Sequence, residues 1–190
     1  MASPLHSPKS ALLVMDVQTR IVSMIADPAL FIKTIQKAIK HAHKSHIPVI
    51  YIAVQFRSGF PEVSPNNKSF SSIKQNIAAF ADPHAMDIYS EVTPTKDDIV
   101  VSKRRVSAFT GSDLEVVLRS LGVNHIVLTG IATSGVVLST LREAADKDYK
   151  ITVLSDGCAD ADKEVHAVLL SKVFSRQADV LTSDQWITKK

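Results

Sequence analysis

Asp16 and Gln18 close an apolar run that begins at Ala11. A carboxylate entering a cleft of low dielectric must either find a cationic partner or hold on to its proton, and either state is useful in acid–base chemistry. Read alone, Asp16 also fits a second role, capping the loop or helix that follows. Lys103 stands after a later apolar stretch, in Val101-Ser102-Lys103-Arg104-Arg105-Val106-Ser107-Ala108-Phe109, shortly before Gly111 and Ser112. It is either one member of a solvated Lys-Arg-Arg cluster or, facing Asp16 across a cleft, the cation of a functional ion pair. Arg104 and Arg105 read as solvated charges, with Arg105 also able to point inward.

A third segment, residues 128–142, runs from a strand through a tight turn into a helix. Thr133 or Ser134 can cap that helix, and Gly135 lets a ligand approach the first-turn amides. The turn is therefore either an ordinary capped helix start or an anion or oxyanion site. His41, His43 and His46 cluster near a helix end without a carboxylate to complete a metal set, so a surface role is expected. Cys158 has no neighbouring base in sequence and reads as a small packing residue. As the single cysteine it excludes an internal disulfide or a multi-thiolate zinc site, and fits a reducing compartment.

These residues need a scaffold that brings strand ends together. Residues 11–17 and 47–54 are short apolar runs with little alternation, as expected of strands covered on both faces. Between them Ile32, Ile35, Ala38, Ile39 and Ala42 form the stripe of an amphipathic helix over 31–46. The alternation continues with strands at 99–101, 126–129, 151–154 and 178–182, and helices at 112–121, 134–148 and 163–174. Such a pattern predicts an α/β fold, a Rossmann-like three-layer α/β/α sandwich with a six-stranded parallel sheet. Ligands in such folds bind outside the carboxyl ends of the strands, where Asp16, Lys103 and the 130–136 turn fall. The long connection 55–96 starts with many turn formers and is expected to be a binding loop or lid.

The 190 residues suit one domain, expected over 11–187 after an N-terminal tail of 1–10. A formal charge of +3 is too small and dispersed to suggest nucleic acid, and 45% apolar with 22% charged residues is ordinary globular composition. The apolar stretch 11–15 is too short for a signal-peptide core or membrane span. A cytoplasmic protein with a small-molecule partner and no membrane association is expected, with non-classical export left open.

From Ala11 to Trp186 the chain resembles the isochorismatase-like hydrolases, often called cysteine hydrolases. The resemblance rests on Leu13-Val14-Met15-Asp16-Val17-Gln18, on Lys103 with Ser107-Ala108-Phe109 and Gly111, and on Leu128-Thr129-Gly130-Ile131-Ala132-Thr133. Val153-Leu154-Ser155-Asp156 gives weaker support. It implies the same six-stranded fold, a catalytic Asp16 and Lys103, a non-proline cis peptide at Ile131-Ala132, and a homodimer or homotetramer. Most members pair that Asp and Lys with a nucleophilic cysteine two residues beyond the position of Ser134; here that position is Val136. Valine cannot form a thioester, which argues against amide hydrolysis. The Asp-x-His metal motif of nicotinamidases is missing after the first strand, so neither metal nor cofactor is expected.

Within the family, true isochorismatases can dispense with the cysteine, because cleaving an enol ether calls for protonation of carbon. The resemblance thus implies hydrolysis of isochorismate to pyruvate and 2,3-dihydroxy-2,3-dihydrobenzoate, with Asp16 as general acid. Lys103, Arg57 and the amides around Ser134, Gly135 and Val136 are the groups available for the carboxylates of this anionic substrate. Gln18, Gln55, Ala132 and Thr133 complete the expected binding set. Two demands on Asp16 oppose each other: a general acid needs a proton, whereas a neighbouring Lys103 favours the ionised form. The alternatives are another small-molecule hydrolysis of the same family, or a catalytically silent member that acts by binding.

Overall fold

A computed structural model describes residues 9–75 and 84–189. Residues 1–8, most of the expected tail, and residues 76–83 of the long connection lie outside the described residues. Strands β1 (Ser10–Met15), β2 (Val49–Val54), β3 (Ile99–Lys103), β4 (His125–Ile131), β5 (Lys150–Ala159) and β6 (Asp179–Leu181) form one parallel sheet in the order β3-β2-β1-β4-β5-β6. Leu13 and Met15 of β1 enter one buried cluster, and Leu12 and Val14 enter the other. Ile50 and Ile52 of β2 divide from Val49 and Tyr51 in the same way. Both faces of the central strands are dry, so both sets of alternate residues are apolar and the runs are unbroken.

Helix α2 (Pro28–Lys44) lays Phe31, Ile32, Ile35, Ala38 and Ala42 on one face of the sheet, joined there by Trp186 of α7 (Ser183–Thr188). It starts at Pro28 because Asp27 caps it, accepting the Leu30 amide at 3.1 Å. The opposite layer is built by α4 (Leu114–Ser120) and α5 (Leu138–Asp146), through Leu114, Leu118, Leu141 and Ala144. Two long helices expected from the sequence are interrupted. A wide turn, Thr133–Val137, precedes α5, and α6 (Lys163–Val168) gives way to another at Leu169–Val173. The one-turn helix α1 (Thr19–Val22) and the two-turn α3 (Lys68–Gln75) are too short to display a hydrophobic period. Strand β5 continues beyond 154 because its pairing with β4 jumps from Leu128↔Val153 to Gly130↔Cys158, and the residues between bulge out.

Strand order makes the site. The chain leaves β1 for β2 and β3 on one side, and later returns to β4, β5 and β6 on the other. The carboxyl ends of β1 and β4 therefore flank the point where the winding reverses, which opens a crevice there. Close approach of these two strands requires Gly130, opposite Met15 in the ladder. Its φ is +143°, and a Cβ on it would lie 2.2 Å from the Met15 carbonyl oxygen, immediately before Asp16.

Gly130→Ala is accordingly expected to lower the unfolding free energy by about 3 kcal/mol or more, since the clash is with backbone that cannot rotate away. Urea denaturation measures it; wild-type stability in this variant would mean that β1 and β4 do not meet so closely.

Candidate active site

Asp16 leaves β1 in the left-handed region, at φ +55°, a conformation Asp tolerates better than most residues. Its amide donates to the Ile52 carbonyl and its carbonyl accepts from the Gln18 amide, so the backbone of this turn is fixed on both sides. The side chain is thereby swung into the crevice. Lys103 ends β3, with β2 between it and β1, a span of roughly 10 Å at the usual spacing of neighbouring strands. Only a long side chain bridges that distance. Its ammonium lies 2.9 Å from Asp16 Oδ2, and donates to the Arg105 and Val106 carbonyls at 2.9 and 3.0 Å. All three ammonium protons are thus placed, with the lysine side chain only 2% exposed.

The two oxygens of Asp16 differ. Oδ2 faces the lysine, whereas Oδ1 is buried without a hydrogen-bond partner. Burial raises the Asp16 pKa to about 6, outweighing the attraction and hydrogen bond of Lys103 and the smaller pull of the Val54 backbone amide. Of the opposing demands noted above, desolvation outweighs the lysine and moves the titration toward neutrality, so the proton is held below about pH 6 and released above it. The sign for stability follows: because the folded value lies above the ordinary 3.8, the contribution of the bound proton is fully present below 3.8 and is lost as pH rises through about 6.

Asp16, Lys103, Ala132, Gly135 and Val136 line one cavity of about 350 Å³. The Ile131-Ala132 peptide on its wall is cis. The long connection supplies Ser69, Phe70 and Met86 to the same wall.

Other expected binding residues are committed elsewhere. Gln18 is fully buried and its amide is wholly engaged, accepting from the Val54 amide at 2.9 Å and donating to the Val54 and Met86 carbonyls. It clamps β2 to the 84–89 segment and leaves nothing for a ligand. Gln55 is exposed and accepts from the Ser102 hydroxyl. Arg57 is 70% exposed and pairs with Glu62, away from the cavity. Arg105 donates to the Glu62 carbonyl, and Arg104 lies 3.4 Å from the Glu62 carboxylate.

Two of the expected turn amides, those of Ser134 and Gly135, are occupied as well. Ser134 directs its amide and hydroxyl to Asp160 Oδ2 at 2.8 and 2.7 Å, and the Gly135 amide donates to the Ala132 carbonyl at 3.0 Å. Thr133 is buried with its hydroxyl 2.8 Å from His166 Nδ1. Lys103, with every proton placed, is likewise a partner for Asp16 rather than a free cation for substrate.

Cys158 is buried on β5 with its thiol directed toward the Leu128 carbonyl, and burial pushes its pKa far above the ordinary thiol value. It is a packing residue here. It lines a neighbouring cavity of about 380 Å³ whose wall shares Ile25 and Asp160 with the first. Of the three histidines, His43 pairs with Asp98 at 2.8 Å and His41 packs edge-on against Trp186, so the latter is less of a surface residue than expected.

Residues 10–185 match the isochorismatase domain family. The chain belongs to the isochorismatase family. This isochorismatase-family chain is 29% identical over 192 residues to the uncharacterised isochorismatase family protein YecD of Escherichia coli O157:H7, covering 95% of this chain and 96% of that one. It is 33% identical over 174 residues to the ureidoacrylate amidohydrolase RutB of Variovorax paradoxus, covering 80% and 69% respectively. Among solved structures, an isochorismatase family protein of Burkholderia thailandensis superposes with a TM-score of 0.80 at 27% identity over 96% of both chains. The protein is thus a member of a hydrolase family with the family's fold.

Two charged residues of the cavity in this family member were not singled out in the sequence. Arg20 stands on α1, and its only sequence signal is its closeness to Asp16. Asp160 stands just after β5, where the rule of searching beyond each strand would have found it.

Replacing Lys103 with Met leaves the Asp16 carboxylate buried beside no cation, and is expected to cost about 3–5 kcal/mol at pH 8. At pH 5 the loss should shrink, because Asp16 then takes up a proton. The double variant with Asp16→Asn should recover most of it. Urea denaturation at both pH values tests this; equal losses at pH 5 and 8 would break the assigned coupling.

Proposed function

We propose that this protein hydrolyses the enolpyruvyl ether of isochorismate to pyruvate and 2,3-dihydroxy-2,3-dihydrobenzoate, by general-acid catalysis without a covalent intermediate. The observation that carries the reading is Val136. At the place where the resemblance expects a thiol, hydrocarbon faces the cavity, while the Asp16–Lys103 pair opens onto the same space.

The chemistry then runs through Asp16. Its carboxyl proton goes to the vinyl methylene, whose π electrons form the new C–H bond and leave an oxocarbenium ion on the ether carbon. Water adds to that carbon and returns a proton to the Asp16 carboxylate. The hemiketal collapses, the bond to the ring oxygen breaks, that oxygen takes the hydroxyl proton, and pyruvate and the ring diol leave. Lys103 holds Oδ2, so the unpartnered Oδ1 is the atom left to carry and deliver the proton. The apolar wall of Val54, Phe70 and Val136 keeps bulk water from competing for it. No cofactor enters the scheme, and the reaction is assigned to the cytoplasm.

The name of the RutB relatives points to amide hydrolysis as a second reading. That route through an acyl-enzyme calls for a nucleophile beside the pair, and the protein's single cysteine is packed against β4 instead.

Release of pyruvate from isochorismate, coupled to lactate dehydrogenase, tests the proposal directly. Asp16→Asn should reduce kcat by about 10²–10⁴, the usual contribution of a positioned acid. Because the protonated form is the active one, kcat/KM should fall as pH rises through about 6. A flat profile between pH 5 and 8, or a loss under about tenfold in the variant, removes Asp16 from the reaction.

Cys158→Ser and iodoacetamide treatment should each leave turnover within a few-fold of wild type. Stoichiometric inactivation by iodoacetamide, prevented by substrate, would instead restore the covalent reading.

A further inference from the structure

Among the described residues four ionisable side chains line the cavity, and three of them already have a charged or hydrogen-bonding partner. Asp16 and Lys103 hold each other. Asp160 accepts from the Ser134 amide and hydroxyl through one oxygen, and from the Asp162 amide at 3.2 Å through the other. The fourth is Arg20, exposed on α1, whose guanidinium has no ion-pair or hydrogen-bond partner among the described residues. An arginine presents a planar fork of donors that matches a carboxylate edge, and an unpaired one at the mouth of an apolar cavity is a ready anion receptor.

Its backbone, by contrast, is fixed. The Arg20 amide donates to the Ala85 carbonyl at 2.8 Å and the Thr19 amide to the Asp87 carbonyl at 3.0 Å, which clips α1 to the 84–89 segment. The Gln18 clamp holds the same segment to β2 through the Met86 carbonyl. The guanidinium is thus a free group on an anchored stem, with Ile21 and Met24 of its own neighbourhood walling the cavity beside it. Asp16 lies buried in the cavity and Arg20 lies exposed on its wall, so charge and reacting atom are separated along the depth of the site.

We propose that Arg20 is the specificity-determining residue of this site: it binds one carboxylate of the substrate at the cavity mouth and orients the apolar body inward toward Asp16. The site therefore selects carboxylates over neutral analogues of the same shape. For isochorismate, a reading on which this assignment to turnover rests, one carboxylate engages Arg20 and the other has no second uncommitted cation within the cavity.

Two experiments separate this inference from the reaction assigned above. The first uses benzoate and benzamide as probes of the wild-type protein and Arg20→Gln, followed by NMR titration. Benzoate should bind wild type and weaken by about 10–100-fold in the variant, the range of a charge-assisted hydrogen-bonded contact. Benzamide should not distinguish the two proteins. The second measures pyruvate release. Arg20→Gln should raise KM for isochorismate by a similar factor with kcat within about threefold, and Arg20→Lys should recover part of the loss by keeping charge without the fork.

Equal benzoate binding by wild type and Arg20→Gln, or none by wild type, overturns the assignment, as does an unchanged KM. If isochorismate is not turned over but benzoate still depends on Arg20, the reaction fails while the carboxylate site stands.

Discussion

A lysine ammonium buried to within a few per cent of full enclosure imposes its needs on everything around it. Removed from water and left unpaired, such a charge costs several kcal/mol, so its partners must be in place before the fold is worth forming. The carboxylate comes from β1 and the two carbonyls from the turn that leaves β3, so the pair ties the edge of the sheet to its middle. Asp16 reaches it by adopting left-handed backbone, and β4 can close on β1 at that point because residue 130 has no side chain. Saturation of Lys103 leaves Asp16 Oδ1 as the unsatisfied buried atom of the pair, on a residue that lines a largely apolar cavity.

Much of the scaffold was legible because it follows from burial. Central parallel strands are dry on both faces, and the runs 11–17 and 47–54 record this directly in their composition. The placing of Asp16 and Lys103 at strand ends followed from the same reasoning, and the resemblance tied them together. Hydrogen-bond partners far apart in sequence were not legible. Gln18 spends its amide on Val54 and Met86, Ser134 on Asp160, and Arg57 on Glu62. Each looked free for substrate because nothing in its local sequence reveals the group that the fold brings to it. Arg20 is the converse: an inconspicuous residue whose importance comes from being left without a partner.

Helix interruptions were hidden for a related reason. The stripe of apolar residues from Val136 to Leu141 is continuous in sequence, yet Gly135 has φ −99° and ψ −105°, outside the helical region. The wide turn it permits sets Ala132, Gly135 and Val136 on the cavity wall ahead of the regular part of α5. Periodicity reports which face is buried, and a turn of slightly different pitch buries the same face. With valine at 136 the ion pair and the turn persist while the expected nucleophile is gone, which separates the architecture of the site from the reaction it hosts.

Ile25 and Asp160 each present one side to the cavity of Asp16 and the other to the cavity lined by Cys158 and His166. The two chambers therefore adjoin at these two side chains. Ile25 at the same time belongs to the buried cluster beneath α2, so this boundary is part of the core as well as of the site. Asp160 also fastens the turn at Ser134. The hydrophobic member of this boundary, Ile25, is thus the position at which the extent of the first chamber and the packing of the core meet.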